Sequence, residues 1–450
     1  MQSIEQFLDH LRCLGVNLRA DGENLRCTAP GGVLNPDLRA ELAKRKPEIL
    51  SFLHNVAESS ECRQEGTFFK YSTGIIQYTE EHNRFRERLH SFLEKEVIPY
   101  TAQWEEDRIV PKSVWKKMGK EGFLCTAVSP EYGGIGGDFL YSLIVAEEIA
   151  ETDFMGLSAS LHSDIVVPYI TDYASEELRQ KYLPGCVSGD IVTAVAITEP
   201  DAGSDISAIA TAAVENGDEV VINGSKTFIS NGINSDLVVL AARDPFAETA
   251  SLSVSLYLAE AGTPGFSRGK QLKKMGQHSQ DTAELFFSDC RIPQKNRLGK
   301  KGMGLNMLME KLQQERLICV ITAVSMAEQI LKTTLTHYRQ TSARGYSCSK
   351  SQAVQFALAE MATEIRIGRI FLEKLVADHI KKKNIVIEIS MAKYWTSEMA
   401  RRTADRCLDI FGQSGMLEKC PVVRRWRDVR PISIYAGTNE IMKNIIAEGL

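Results

Sequence analysis

The chain has 450 residues, of which 44% are hydrophobic and 25% charged, and its formal net charge is −5. This length exceeds that of one ordinary core, so about two to four domains are expected. The mild negative charge offers no broad basic surface, which argues against a nucleic-acid partner.

The compartment and the absence of a metal are also indicated by the sequence. The 10 cysteines show no C-x-x-C pair or regular spacing, which is typical of reduced thiols in a cytosol. The N-terminal residues lack the basic and apolar regions of an export signal, and no apolar run approaches the roughly 20 residues of a membrane span. We therefore expect a cytoplasmic protein without a membrane segment. Isolated histidines and the lack of a Cys/His cluster predict no metal site.

Residues 1–55 have the pattern of a small separate unit. Apolar residues at helical spacing predict a first helix that ends at Gly15. Asp21-Gly22 between two β-type runs predicts a hairpin. Asn35-Pro36 is typical of a helix start, and Pro47 interrupts that helix before another apolar run. A core this small is marginal alone, so dimerisation or partner binding would stabilise it.

The rest of the chain divides by its hydrophobic period. Residues 56–74 are polar and aperiodic, like a linker. Residues 75–190 are mostly helical in pattern, with a glycine-rich interruption at 133–137. Residues 191–299 change to short β-type runs separated by Asn-Gly and Pro-Gly turns, and residues 300–450 return to a helical period. The predicted fold class is mainly α with a middle β-domain, preceded by a small α/β unit.

Glu315 lies on the apolar stripe of a predicted long helix, with Leu308, Leu312 and Cys319. A carboxylate that faces a helical core loses hydration, so its pKa should rise toward the range useful for proton abstraction. The alternative is a surface glutamate paired with Lys311 one turn earlier. Helix geometry alone favours the ion pair.

Two segments could bind a polar cofactor. Gly302-Met-Gly304 lacks the third glycine and the preceding strand of a dinucleotide fingerprint, so we reject a Rossmann site. The loop at residues 196–208 is dense in hydroxyls, small residues and carboxylates. Its backbone N–H groups and hydroxyls could serve an extended cofactor, or it could be an ordinary turn with side-chain caps. Composition leaves both interpretations open.

Residues 75–450 resemble the acyl-CoA dehydrogenase family. The loop at 196–208 fits the first signature of that family, and four further segments follow in the family's order: 226–232, 280–287, 391–393 and 434–441. The resemblance implies an N-terminal helical domain, a middle β-barrel-like domain and a C-terminal four-helix bundle. It also implies FAD bound partly across the subunit interface of a homodimer or homotetramer.

The resemblance also assigns binding positions. Ala196, Thr198 and Ser204 would lie near the flavin and the substrate thioester. Phe228 would pack on the isoalloxazine ring, with Ser230 near its reactive edge. The remaining cofactor positions are Thr438 and Glu440 near the phosphates and adenosine, and Arg344, Asp409 and Gln413, where the chain departs from the family pattern.

The position of the catalytic base departs as well. Many family members carry a catalytic glutamate where this chain has Ala436, which has no proton-accepting side chain. A smaller branch, similar to the isovaleryl-CoA and long-chain acyl-CoA dehydrogenases, places it within E-R-L, here Glu315-Arg316-Leu317. The resemblance implies that Glu315 removes the α-proton while the β-hydrogen leaves as hydride to the flavin. The Ala436 N–H would bind the developing oxyanion, and Arg316 would contact the substrate.

Residues 1–55 resemble the N-terminal docking domains of nonribosomal peptide and polyketide synthetases, which capture a partner's C-terminal peptide by strand addition. The combined prediction is FAD-dependent α,β-dehydrogenation of an acyl or peptidyl thioester, held by an acyl or peptidyl carrier protein. An electron-transfer flavoprotein is the expected acceptor. Three alternatives remain: a free-standing acyl-CoA dehydrogenase, an oxygen-using variant, and a flavin-poor docking scaffold suggested by Thr341, Asp409 and Gln413.

Overall fold

The structure is a computed structural model that describes residues 7–8, 11, 16–21, 24–29, 35–51, 73–249, 252–343 and 351–450. It divides into two compact units. Residues 1–72 and 335–358 form the first, and residues 73–334 and 359–450 form the second. The finer domain boundaries predicted from the sequence stay predictions.

The first unit contains the predicted hairpin. Strands β1 (Asn17–Asp21) and β2 (Asn24–Thr28) pair antiparallel. Helix α1 (Pro36–Lys44) begins after Asn35, whose side chain accepts a hydrogen bond from the Leu38 amide at 2.8 Å, so the predicted cap is confirmed. The helix ends at Lys44, Arg45 forms a turn, and residues 46–51 are helical again. The buried core of this unit consists of Phe7, Leu8, Leu11, Val16, Leu42 and Ile49.

The second unit begins with helices packed around one apolar core. They are α2 (Glu80–Glu96), α3 (Thr101–Asp107), α4 (Lys112–Lys120), α5 (Phe139–Glu151), α6 (Val167–Tyr173) and α7 (Glu176–Ser188). A π-helical turn, Leu161–Val166, leads directly into α6. Such turns are rare and recur at functional sites, because they shift the register of the side chains that follow.

A single eight-stranded sheet follows. Its strands are β3 (Thr193–Ala196), β4 (Ala212–Asn216), β5 (Glu219–Ser230), β6 (Leu237–Arg243), β7 (Val254–Glu260), β8 (Phe266–Gln271), β9 (Thr282–Pro293) and β10 (Arg297–Leu298). The order is β10-β7-β6-β4-β5-β9-β8, and β3 pairs with β6 in parallel. The clear β-type runs predicted within residues 191–299 lie in these strands: 220–222 and 227–229 in β5, 237–240 in β6 and 285–287 in β9.

Of the predicted Asn-Gly turns, the one at Asn223-Gly224 is wrong, because β5 continues through it with a register shift between Ile222 and Gly224. Gly224 has a φ of +151°, and a Cβ there would lie 2.7 Å from the Thr211 Cα, so glycine serves close backbone approach. The hairpin turn is instead at Gly217, with a φ of +64°, between β4 and β5.

The C-terminal part is helical. It comprises α8 (Gly304–Ala343), α9 (Gln352–Ile380), α10 (Val386–Phe411), α11 (Pro421–Val429) and α12 (Asn439–Glu448). Within the described residues, one stretch, Gly304–Thr341, is long and apolar enough to cross a membrane by length and composition. Its apolar window is 72% buried within the chain, as expected for a core helix.

Candidate active site

Glu315 is a partly buried carboxyl group in α8. Burial raises its pKa to about 7, and the positive charges of Arg316 and Lys393 only partly oppose this. Among the residues that the structure describes, none donates a hydrogen bond to its carboxylate or forms an ion pair with it. The alternative ion pair with Lys311 is wrong, because the Lys311 ammonium contacts Asp172 instead. The arrangement leaves a carboxylate free to take a proton near neutral pH.

The helix that carries Glu315 contacts the loop at residues 435–437. The Arg316 Nε donates to the Ala436 carbonyl oxygen at 3.4 Å, and the fully buried Lys393 ammonium donates to the Gly437 carbonyl oxygen. Ala436 is held in a left-handed conformation, with a φ of +57°. Its N–H donates no hydrogen bond among the described residues, so a backbone donor is available beside the base.

Helix α12 begins directly after this loop. Thr438 caps it by accepting a hydrogen bond from the Ile441 amide at 3.3 Å, and the Asn439 side chain bonds to Ser397 at 3.1 Å. An open groove at this helix start is lined by Ser397, Glu398, Arg401, Val429, Arg430, Ser433, Ile434, Thr438, Asn439 and Glu440. The positive end of the helix dipole and the two arginines favour an anion such as a phosphate in this groove, whereas the Glu398 and Glu440 carboxylates oppose one.

Phe228 marks a second surface, on the sheet. It is 67% exposed and has a φ of +56°, within the register shift between Lys226 and Ile229 in β5. An aromatic ring held outward by a strained backbone is a common arrangement for stacking on a planar ligand.

A buried ion pair supports the neighbouring loop. The Lys226 ammonium lies 2.7 Å from the Glu199 carboxylate, and both side chains are buried. Glu199 also accepts from the Ala210 and Thr211 amides, at 2.7 and 3.0 Å. The Thr227 amide donates to the Thr198 carbonyl at 3.0 Å. The N-terminal end of the loop at 196–208 is therefore fixed to the strand that carries Phe228, and Glu199 also binds the residues that follow the loop.

Comparisons with known proteins agree with this geometry. The model of the acyl-CoA dehydrogenase N-terminal domain matches residues 79–190, that of the middle domain matches 194–290, and that of the C-terminal domain matches 302–450. The mouse mitochondrial long-chain specific acyl-CoA dehydrogenase is 40% identical over 414 residues, which cover 91% of this chain and 96% of that protein. The chain belongs to the acyl-CoA dehydrogenase family.

Two solved structures support the assignment. An acyl-CoA dehydrogenase from Geobacillus kaustophilus has a TM-score of 0.81 and 48% identity, covering 83% of this chain and 98% of that one. A structure described as the FAD complex of PigA has a TM-score of 0.78 and 27% identity, with the same coverage. As an acyl-CoA dehydrogenase, the chain is an FAD-dependent oxidoreductase acting on CH–CH bonds. In addition, the TubC N-terminal docking domain model matches residues 4–55.

The residues present fit the cofactor that the family implies. Phe228 offers an exposed ring for the flavin, and the start of α12 offers a helix dipole and two nearby arginines for the phosphates. Ala196 is buried in β3, Ser204 is exposed in the loop, and Ser230 is partly buried at the end of β5. Ala196 and Ser204 lie on either side of Glu199 in the sequence, and Ser230 follows Phe228 by two residues.

Some predicted positions are not joined to this site. Asp409 and Gln413 are exposed near the end of α10, and within the described parts of the chain their side chains contact none of the residues above. Arg344 lies outside the described residues. Conversely, sequence reasoning gave no role to Arg401, Arg430 or Lys393. Lys393 belongs to the family-like segment 391–393, and a lysine at the core of a predicted helix was the signal that could have identified it.

Proposed function

We propose that this acyl-CoA dehydrogenase introduces an α,β double bond into an acyl or peptidyl thioester that is bound to a carrier protein of a nonribosomal peptide or polyketide pathway. The observation that carries the proposal is the docking-domain match at residues 4–55, joined in one chain to all three dehydrogenase domains. Within the described residues, β1 and β2 pair only with each other, so the hairpin has strand edges for a partner peptide.

In this proposal the chain's own residues handle the proton and the charge. Glu315 takes the α-proton of the thioester, for which its pKa of about 7 is suited. As that C–H bond breaks, negative charge develops on the thioester oxygen, and the Ala436 N–H donates to it. Arg316 and Lys393 hold the loop that presents this N–H. FAD, when bound, supplies the acceptor for the hydride that leaves the β-carbon, which completes the double bond.

The cofactor would be held from two sides. Phe228, Thr198, Ser204 and Ser230 belong to the flavin end, while Thr438, Glu440 and the groove arginines belong to the phosphate end. A homodimer or homotetramer and an electron-transfer flavoprotein acceptor are parts of the same proposal, supported by membership of the family.

Paired substrates test the carrier-protein step. The same acyl group is offered on its carrier protein, with the partner subunit's C-terminal peptide attached, and on CoA. The full chain and a chain lacking residues 1–55 are compared by mass spectrometry for the loss of two hydrogens. We expect the deletion to lower kcat/KM on the carrier-bound substrate at least tenfold and to leave the CoA substrate unaffected. Equal turnover of the carrier-bound substrate by both chains would contradict the docking role.

The free-standing acyl-CoA dehydrogenase is the second candidate, favoured by the 40% identity to the mouse long-chain specific enzyme. It predicts that CoA thioesters are turned over as well as carrier-bound ones in both chains. The flavin-poor scaffold predicts a colourless protein that does not bleach with thioester under anaerobic conditions, and the oxygen-using variant predicts peroxide in air.

A further inference from the structure

Tyr169 in α6 carries a buried hydroxyl without a partner. The residue is 1% exposed, and its hydroxyl makes no hydrogen bond among the residues that the structure describes. Buried tyrosine hydroxyls normally find a partner, because leaving one unpaired costs free energy. The Glu315 carboxylate is likewise without a donor. Two complementary groups are therefore unpaired in the same part of the protein.

Helix α6 and the preceding π-helical turn pack against α8, which puts Tyr169 and Glu315 on facing elements of one interface. The Tyr173 hydroxyl donates to the Glu310 carboxylate at 2.6 Å, and further along the interface Gln314 Nε2 donates to the Asp164 carbonyl at 2.6 Å. The two segments thus run antiparallel. Tyr169 precedes Tyr173 by one helical turn, and Glu315 follows Gln314 directly. Tyr169 lies within the stretch bounded by these two contacts, and Glu315 lies one residue beyond its end.

Electrostatics agree with this register. Burial raises the pKa of Tyr169, and the nearby Glu315 carboxylate raises it further. The phenol therefore stays protonated at any pH at which the enzyme works, and it remains a hydrogen-bond donor.

The other groups that face Glu315 are already engaged or unsuited. On its own helix, Arg316 donates to Ala436, and Cys319 is a buried thiol. On α10, Lys393 donates to Gly437. In the loop, the Tyr435 hydroxyl forms a hydrogen bond with Gln277, which lowers its pKa against the effect of burial. Of the groups that face Glu315, Tyr169 is the one whose buried hydroxyl makes no hydrogen bond among the described residues.

We propose that Tyr169 is a positioning residue for the base: its hydroxyl donates a hydrogen bond to the ionised Glu315 carboxylate and so fixes the orientation in which that carboxylate meets the substrate. The inference rests on the proposed role of Glu315 as the base. A glutamate side chain has three rotatable bonds, and the proposed hydrogen bond forms when rotation about them brings the carboxylate to the phenol. Because the donor favours the ionised carboxylate over the acid, Tyr169 also keeps the base available at neutral pH.

The test compares Tyr169→Phe with the matched control Tyr173→Phe, which removes a hydroxyl from the same helix and interface. The carboxyl group is titrated by infrared spectroscopy in the resting protein, with Glu315→Gln identifying its band. We expect Tyr169→Phe to raise the titration midpoint by about one pH unit, which corresponds to about tenfold less ionised base below the midpoint. Tyr173→Phe should titrate like the wild type.

Kinetics provide the second measurement. With Tyr169→Phe, kcat/KM should fall about tenfold at pH 6 and approach the wild-type value above pH 9, whereas a purely structural role would lower it equally at all pH values. An unchanged infrared midpoint would overturn the proposal. Should the full chain oxidise no thioester, the proposed function fails, but the infrared titration still decides whether Tyr169 binds Glu315.

A fluorinated tyrosine at position 169 keeps the proposal testable if the phenylalanine variant does not fold. 3-Fluorotyrosine at position 169 keeps the hydroxyl and makes it a stronger donor, so the infrared midpoint should move downward, opposite to Tyr169→Phe. A midpoint that does not move in this variant also contradicts the proposal.

Discussion

The Arg316 Nε lies 3.4 Å from the Ala436 carbonyl oxygen. The residue next to the proposed base therefore contacts the residue whose N–H is proposed to bind the oxyanion. This contact ties the helix that carries the carboxylate to the loop that carries the backbone N–H of Ala436. In the proposed mechanism Glu315 is the base, so an alanine at position 436 costs no proton acceptor, and its backbone N–H is kept as the proposed oxyanion donor.

Glu315→Gln should abolish proton abstraction while retaining FAD. General bases contribute roughly a hundredfold to ten-thousandfold, so kcat should fall by at least that lower factor. The measurement is anaerobic bleaching of the flavin absorbance by substrate, with flavin content determined in parallel. Glu310→Gln, one turn away and bonded to Tyr173, is the control and should stay active. Retained bleaching by Glu315→Gln would refute the assignment.

The pH dependence of the wild type should follow the ionisation of Glu315. Burial raises its pKa to about 7, and the base must be ionised to act, so kcat/KM should fall about tenfold per unit below that pH. A pH series of kcat/KM under conditions of constant ionic strength checks this. A rate that stays level down to pH 5 would be inconsistent with a base of this kind.

The same shift should be visible as a stability difference. Since the pKa of Glu315 is raised from 4.5 to about 7 in the folded state, ionising it disfavours folding as pH rises through that interval. Glu315→Gln should therefore unfold at higher denaturant than the wild type at pH 8, by on the order of 1–3 kcal/mol, and match it at pH 4. Urea unfolding at both pH values, extrapolated to water, makes the comparison. The opposite order at pH 8 would show that the carboxylate is stabilised.

Phe228→Ala should weaken FAD binding without affecting the fold. The ring is 67% exposed, so its removal creates no cavity, whereas lost stacking of about 0.5–1.5 kcal/mol corresponds to roughly twofold to twelvefold weaker binding. Titration of the apoprotein with FAD by fluorescence measures it. Phe246→Ala removes an aromatic ring that is 81% exposed on the same sheet domain and should leave the affinity unchanged.

Lys393→Met should loosen the loop at 435–437. The methionine keeps the apolar stem but leaves the Gly437 carbonyl without its donor, which costs about 1–3 kcal/mol of folding free energy. Activity should fall as well, because the Ala436 N–H loses its fixed position. Thermal unfolding and kcat are compared with those of Lys443→Met, whose ammonium is exposed and lies 3.7 Å from Glu398. Equal behaviour of the two variants would argue against a role for Lys393.

Local sequence patterns predicted most of the elements, whereas the position of the proposed base came from the resemblance to the family and stays a prediction. The hairpin, the Asn35 cap and the β-type runs follow from short-range rules, so the structure reproduces them. The role of Glu315 could be inferred because the family's usual glutamate position is occupied by Ala436, while Glu315 supplies a carboxylate on the apolar side of a predicted helix.

Long-range contacts account for what could not be predicted. Helical spacing pairs Glu315 with Lys311, but Asp172 from another helix competes for that lysine. Asn223-Gly224 looks like a hairpin turn, yet Thr211 packs so closely that the glycine serves a continuous strand. The unpaired hydroxyl of Tyr169 likewise depends on how α6 meets α8.

Because α8 is 40 residues long, the two proposed catalytic groups should differ in the free energy of the opening that exposes them. Glu315 lies inside this helix, so its amide should exchange hydrogen only when the bundle opens globally. Ala436 lies in a short turn fastened by two side chains, and its amide should exchange through local opening at lower free energy. Mild heating should therefore inactivate the protein by releasing the oxyanion donor while the base remains in its folded environment.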